Sequence, residues 1–421
     1  MSSQFAQKDI DRIRQIAGAY RDAAESPVNQ ERKAAWYALD AGTDGRPMIL
    51  AEDMAVKAEI PELSSPDLQC EDEWCRKLEK DLLADLWRHH VLKDDHVIEP
   101  WVNLRWFVAT SDYGVTVEKH LADNDGKLGA RNWDSPIKDI NTDLDKLKQR
   151  TYTLDREATL AEKDKLETVL GDVLPVRLRG TYWWTQGMTV QAIELIGLEN
   201  LMLYMFDEPE GLHRLMKFLH DDQMAYIDWL EANDLLFLNN ENDYIGSGSE
   251  GYTRDLPETD FAGKVRPKDM WVLLESQETV GVGPQQFEEF IFPYQKSMAE
   301  RFGKVYYGCC EPVNSRIDVL KNLPNLERCS VSPWADEEVT AAALGTEIVY
   351  SRKPAPSMIS TGRFDEDELR TNLQATLTKA KGCRIEFVMK DVHTLNNEPQ
   401  RLPRWVEIAR EEVAKAGYPN A

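Results

Sequence analysis

The sequence predicts an α/β fold, a (β/α)8 barrel with an N-terminal helical extension and a helical insertion. Three observations lead there. From residue 175 onward, short apolar runs alternate with amphipathic helical stretches, the signature of βαβ units and a parallel sheet. The runs number eight once one near 46–52 or 99–107 is included. Nearly every run ends in polar or reactive residues, which a barrel gathers at one mouth and an open sheet would spread along an edge.

In chain order, residues 1–95 read as mostly helical and charged, with the apolar run Met48-Ile49-Leu50 following Gly45-Arg46-Pro47. EPWVNLRWFV at 99–108 has strand composition. Residues 112–170 are polar and lack the aromatic content for a core of their own. They are expected as solvent-side helices, inserted into a single 1–421 domain. The regular strands are 176–183, 234–240, 270–276, 304–310, 326–332, 346–351 and 384–390, and helical text fills 187–232 and most of the later intervals.

Fifty basic residues against 74 acidic ones give a net charge of −24. A field of that sign repels phosphate backbones and anionic lipid, so nucleic acid and membrane surfaces are poor partners. No run of about 18 apolar residues is present. The first twenty residues lack the apolar core of a signal peptide. Six cysteines in 421 residues are too few for a disulfide scaffold. The expectation is a cytoplasmic protein with reduced thiols.

Gly246 to Gly251 spell G-x-G-x-x-G after a predicted strand, but the following YTRDLPE does not open a helix. Without a helix N-terminus a diphosphate has neither dipole nor amide donors, so the segment reads as an active-site loop. Cys309 and Cys310 sit at a strand end, where alternation lets at most one face the axis. One of them is expected as a ligand or reactive thiol, the other as packing. Asp391 and His393 stand two apart beyond the last strand, where an extended backbone puts both on one face. Such a pair can orient a proton donor or share a metal, or simply cap a loop. Glu241, Asp243, Glu275 and Glu278 add carboxylates at neighbouring strand ends. Thiolate, imidazole and carboxylate together suit zinc better than magnesium. Trp183, Tyr307 and Trp334 are candidate walls for a planar substrate, with Asn239 and Asp243 as polar contacts.

TYWWTQGMTVQAIELIGLENLMLYMFDEPEGLHRLMKFLHD at 181–221 resembles the strand, Gly-x-Thr turn and Pro-Glu, His-x-Leu helix of uroporphyrinogen decarboxylase-like proteins, and VGPQQFEEFIFPYQKSM resembles their Phe-x-x-Phe, Pro-Tyr segment. The resemblance runs from about 175 to the end and implies a barrel on a divergent branch near the corrinoid-dependent methyltransferases. True decarboxylases carry an Arg-Gln-Ala-Gly-Arg motif where this chain has Leu50-Ala51-Glu52-Asp53-Met54, so uroporphyrinogen itself is not the implied substrate. The methyltransferases hold zinc through His-x-Cys and a later cysteine. Cys310 falls at the first cysteine, Gly308 at the histidine, and the last strand offers Asp391 and His393 instead.

The resemblance therefore implies a zinc set rebuilt from Cys310, His393 and Glu241 (or Glu275), with His393, Asp391 and Glu275 as catalytic groups. The implied activity is methyl transfer between a small methylated compound, of aryl methyl ether or methylamine type, and a corrinoid protein whose cobalamin stays on that partner. A homodimer is left open. The alternatives are a lyase acting on another small acid, with Arg105, Arg177 or Lys390 as carboxylate clamp, and a non-catalytic ligand binder.

Overall fold

The structure is a computed structural model that describes residues 5–43, 45–121, 131–180 and 184–418. Its parallel strands are β1 (Met48–Ala51), β2 (Val102–Arg105), β3 (Val176–Arg179), β4 (Trp271–Leu274), β5 (Lys304–Tyr307), β6 (Leu326–Val331), β7 (Val349–Arg352) and β8 (Ile385–Met389). Six of them form one all-parallel sheet in the order β1-β8-β7-β6-β5-β4, while β2 and β3 pair separately.

The α/β class holds, but backbone pairing does not close the eight-stranded ring expected from the sequence. Residues 234–240 are irregular rather than a strand, with Asp234 at φ 59°. The side chain of Asn239, not a neighbouring backbone, takes both ladder groups of Trp271. The Trp271 N–H donates to Asn239 Oδ1 at 2.8 Å, and Asn239 Nδ2 donates to the Trp271 carbonyl at 3.0 Å. An amide side chain can stand in for a peptide because it carries the same donor and acceptor. The free edge of β1 is closed likewise, by carboxylates. Asp95 accepts from the Ile49 N–H at 2.7 Å and Asp94 from that of Ala51 at 3.1 Å.

The insertion also departs from expectation. Glu118–Leu121 pairs antiparallel with Arg131–Asp134, and Tyr152–Asp155 with Phe107–Thr110. Two-stranded ribbons of this kind lie at the surface and need no apolar face, so polar composition concealed them. None joins the six-stranded sheet. Arg156–Leu170 is helical as expected, with Asp155 accepting from the Ala158 N–H at 2.9 Å at its start.

The N-terminal extension is helical because its apolar residues fall on one stripe. Ile13, Ala17, Tyr20 and Ala24 of Gln7–Glu25 pack on Leu78 and Leu82 of Glu73–Trp87 and on Leu166 and Val169. The larger core lies between the sheet and the later helices, where Ile49, Leu274, Val305, Tyr307, Val331, Phe387 and Met389 are all buried. Burial of each such side chain contributes roughly 1.5–3 kcal/mol.

The opposite face of the sheet carries Leu50, Leu273, Tyr306, Arg328, Ser351, Glu386 and Val388, and a hairpin lies across it. Tyr244–Gly246 pairs with Ser249–Glu250 through Ser247 and Gly248, both at positive φ (44° and 92°). That two-residue turn needs positive φ at both centres. A Cβ on Gly246 would meet the Tyr306 ring at 2.5 Å, so only glycine allows the hairpin to sit this close. The glycine-rich text is thus a strand-to-strand turn followed by irregular chain, with no helix to hold a diphosphate.

Candidate functional site at the strand ends

Gly308 decides which cysteine turns inward. Val305 and Tyr307 enter the helix-side core, and Tyr306 faces the hairpin. Strict alternation would return residue 309 to the helix side, but Gly308 at φ 93° interrupts the extended backbone. Cys309 consequently faces Lys390 and Ser247. The Lys390 Nζ lies 3.7 Å from Cys309 Sγ, 3.4 Å from Ser247 Oγ and 3.9 Å from Asp391 Oδ2. The sulfurs of Cys309 and Cys310 are 3.4 Å apart, and Cys310 Sγ lies 3.5 Å from Asp391 Oδ2. Cys309 is 4% exposed, whereas Cys310 is exposed.

The electrostatics separate the two thiols. Cys309 is held below the ordinary thiol range, first by the hydrogen bond from Cys310 and then, against burial, by the Lys390 ammonium. Cys310 is pushed up, first by its hydrogen bond to Cys309, then by partial desolvation of its sulfur and by the charges of Cys309 and Asp391. Burial works against the Lys390 charge, yet the Cys309 thiolate, Tyr244, Glu52 and Asp391 outweigh it and raise its pKa. The two groups favour each other's charged forms. The thiols of Cys70, Cys75 and Cys329 are each pushed up to about 12, chiefly by burial.

Two carboxyl groups stand beside this pair. Glu311 accepts from the backbone N–H groups of Ser276 and Cys309, both at 2.9 Å. Glu275 is fully buried. Its Oε2 accepts from the Gln277 N–H at 3.0 Å, and its Oε1 has no partner among the described residues. Burial, then the charges of Glu278 and Glu311, hold Glu275 well above the usual carboxylate range. A neutral carboxylic acid with a free oxygen is a proton donor in waiting.

One layer deeper, Arg328 donates to Ser249 Oγ at 2.6 Å, to the Glu250 carbonyl at 2.7 Å and to Glu386 at 3.3 Å. Ser249 and Ser351 donate to the two oxygens of Glu386. Lys353 donates to the Tyr306 hydroxyl at 2.8 Å. Burial brings the Lys353 pKa down to about 8.

The residues expected from sequence are only partly gathered. Glu275 lies in the site. Cys310 is at its rim, and Cys309 holds the inward position. Tyr307 is no substrate wall: it lies on the helix side of β5, its hydroxyl 2.9 Å from Ser276 Oγ, and Tyr306 is the tyrosine that faces the hairpin. Asn239 is spent on Trp271. Asp243 pairs with Arg179 at 2.5 Å, and Glu241 with Arg177 at 3.3 Å. Trp334 is 78% exposed, and Trp183 lies outside the described residues. Asp391 has φ 57°, so the backbone is not extended there and the argument that put it on one face with His393 fails. His393 is exposed.

This donor set does not fit zinc. Among the described residues, the three-member His, Cys, Asp or Glu group with all ligand atoms within 4.8 Å of one another is Glu118, His120 and Asp134, exposed on the inserted ribbon. Cys310, His393 and Glu241 form no such group, and an ammonium already stands against the inward thiolate. A groove of about 630 Å³ lies elsewhere, in the N-terminal layer, lined by Arg12, Glu62, Asp67, Trp87 and His90. The strand ends, where two adjacent thiols, an ammonium and buried carboxyl groups meet, are the better candidate site.

Lys390, Glu311 and Lys353 carry more of this site than the sequence suggested. The readable signal was Gly308, a residue able to reset alternation just before the paired cysteines. No helix among the described residues is long and apolar enough to cross a membrane. No protein-family model matches the sequence, and no curated protein does. Among solved structures, a methyltransferase from Methanosarcina mazei aligns over 91% of this chain and 99% of its own, at 13% identity and a TM-score of 0.48.

Proposed function

We propose that this chain is an enzyme that moves a methyl group between a small methylated compound, of aryl methyl ether or methylamine type, and the cobalt of a corrinoid carried by a partner protein. The observation that carries this reading is Glu275: a fully buried carboxyl group at the end of β4, its pKa raised by burial and by the charges of Glu278 and Glu311, with one oxygen unengaged among the described residues. When a methyl carbon leaves oxygen or nitrogen, the bonding electron pair stays on the leaving atom, which then needs a proton or a nearby positive charge. Glu275 supplies the proton. The Lys390 ammonium supplies a fixed positive charge, a task that a Lewis-acidic metal would otherwise perform. No step requires zinc. The choice of methyl group and corrinoid rests on the sequence resemblance, and the proton-donor chemistry rests on the site.

The test is incubation of the protein with Co(I) cobalamin, or a corrinoid protein, and a panel of aryl methyl ethers and methylamines, followed by absorbance. Methylated cobalt should form with at least one donor. If no donor methylates cobalt while a carboxylated substrate releases carbon dioxide, the lyase reading replaces this one, with Lys390 as carboxylate clamp.

A further inference from the structure

The adjacent cysteines support a chemistry independent of methyl transfer. Their sulfurs are 3.4 Å apart, so bond formation at about 2.05 Å requires a closure of little more than an ångström. Cys310 is exposed, which gives a small oxidant access, and Cys309 has the Lys390 ammonium 3.7 Å from its sulfur. The remaining four cysteines are buried or half-buried. An accessible thiol beside a cation-paired one is the arrangement expected of a resolving and an attacking cysteine.

We propose that Cys309 and Cys310 are an oxidation site, at which a hydroperoxide converts the two thiols into a disulfide between adjacent residues. In the first step the Cys309 thiolate attacks the peroxide, the O–O bond breaks and an S–O bond forms. The sulfur is oxidised to a sulfenic acid, and the departing oxygen takes a proton from solvent and leaves as water or alcohol. In the second step the Cys310 sulfur attacks the sulfenic sulfur. The S–S bond forms, the S–O bond breaks, and hydroxide leaves with the Cys310 proton as water. Overall, two thiols and one hydroperoxide give one disulfide, one alcohol (or water) and one water. Lys390 then loses its thiolate partner, so oxidation changes the charge beside Glu275 as well as the sulfurs.

The test uses the full chain, reduced, freed of reductant and treated with hydrogen peroxide, then alkylated with iodoacetamide and digested with trypsin. The tryptic peptide 305–316 contains both cysteines. It should appear two hydrogens lighter and unalkylated, and dithiothreitol should reverse this. In Cys310→Ser the reaction should stop at Cys309, trapped by dimedone as a sulfenic adduct. In Cys309→Ser residue 310 should remain alkylatable. Cys309 should lose alkylatability at least about tenfold faster than half-buried Cys383. A doubly alkylated wild-type peptide after peroxide, a disulfide linking two chains, or equal loss at Cys309 and Cys383 would overturn the proposal. Because every readout is a peptide mass, these outcomes are independent of whether any methyl donor is turned over.

Discussion

Two polar regions share one face of the sheet, and they are built on opposite principles. In the interior network Arg328, Glu386, Ser249, Ser351 and Tyr306 meet in complementary pairs. Both oxygens of Glu386 are occupied, and both terminal nitrogens of Arg328 donate. One level higher, at the strand ends, like charges are crowded. Glu275, Glu278 and Glu311 repel one another, and one oxygen of Glu275 stays free. Buried polar groups that are paired specify structure, whereas buried groups left mismatched are what reaction chemistry uses. The hairpin at 244–250 belongs to both levels, giving Ser249 to the network and Ser247 to Lys390.

Breaking the lower level should cost stability first. Arg328→Met strips the donor from Glu386, Ser249 and the Glu250 carbonyl in a fully buried setting, so unfolding should become easier by about 3–5 kcal/mol. A urea midpoint that does not move would sink the view that this network is structural. The upper level should respond in the opposite way. Glu275→Gln keeps the shape and removes the ionisable proton, so transfer should fall roughly 10²–10⁴-fold while stability changes by less than about 1 kcal/mol. Full activity in that variant would remove Glu275 as proton donor.

Lys353 joins the two levels and makes a sharper test through pH. Its folded pKa is lowered to about 8 from an ordinary 10.5, because burial disfavours the charge. Between pH 8 and 10.5 the unfolded chain keeps this proton and the folded chain has lost it, so stability rises with pH in that window. Below the window both states are charged and the burial cost stands in full. Above it both are neutral and the cost is gone. Across it, wild type should gain about 3 kcal/mol relative to Lys353→Met. Parallel stability curves for the two proteins would show that Lys353 is charged in the fold throughout.

The alternation of β and α text was legible because buried parallel strands are almost wholly apolar, as Val272, Val305 and Phe387 are. The edges were not legible. Nothing in DLLFLNN shows that Asn239 will take a peptide's place beside Trp271, since that depends on where an amide lands in space. The exposed ribbons at 118–121 and 131–134 carry no apolar periodicity, so the pattern rule had nothing to read. At the site, the strand-end rule led to Glu275 and to the paired cysteines, which the structure places near Lys390. It failed on Tyr307 through simple parity, and on Asp391 and His393 because a positive φ ended the strand between Lys390 and His393. Lys390 was read only as a carboxylate clamp, although its partner turned out to be a sulfur 81 positions away in the chain.

The smallest expected effect isolates that partner. Lys390→Met removes the ammonium beside Cys309 but leaves the Cys310 hydrogen bond, which is the larger cause of the lowered thiol pKa. Cys309 should therefore keep part of its thiolate character and lose the rest. Alkylation of Cys309 by iodoacetamide at pH 7, read from the mass of the tryptic peptide 305–316, should slow by roughly tenfold. Its rate profile should shift toward higher pH, since a thiol without a neighbouring cation ionises later. Cys310→Ser should shift the same profile further if the serine hydroxyl fails to donate to the thiolate, and less if it replaces the lost hydrogen bond. Stability should barely respond to Lys390→Met, because the ammonium is itself buried and its desolvation offsets much of the attraction. An unchanged alkylation profile in Lys390→Met would mean that the cation and the thiolate are not paired in solution. The contrast between a network that holds the sheet and a cluster that activates a sulfur would then fail at the strand ends.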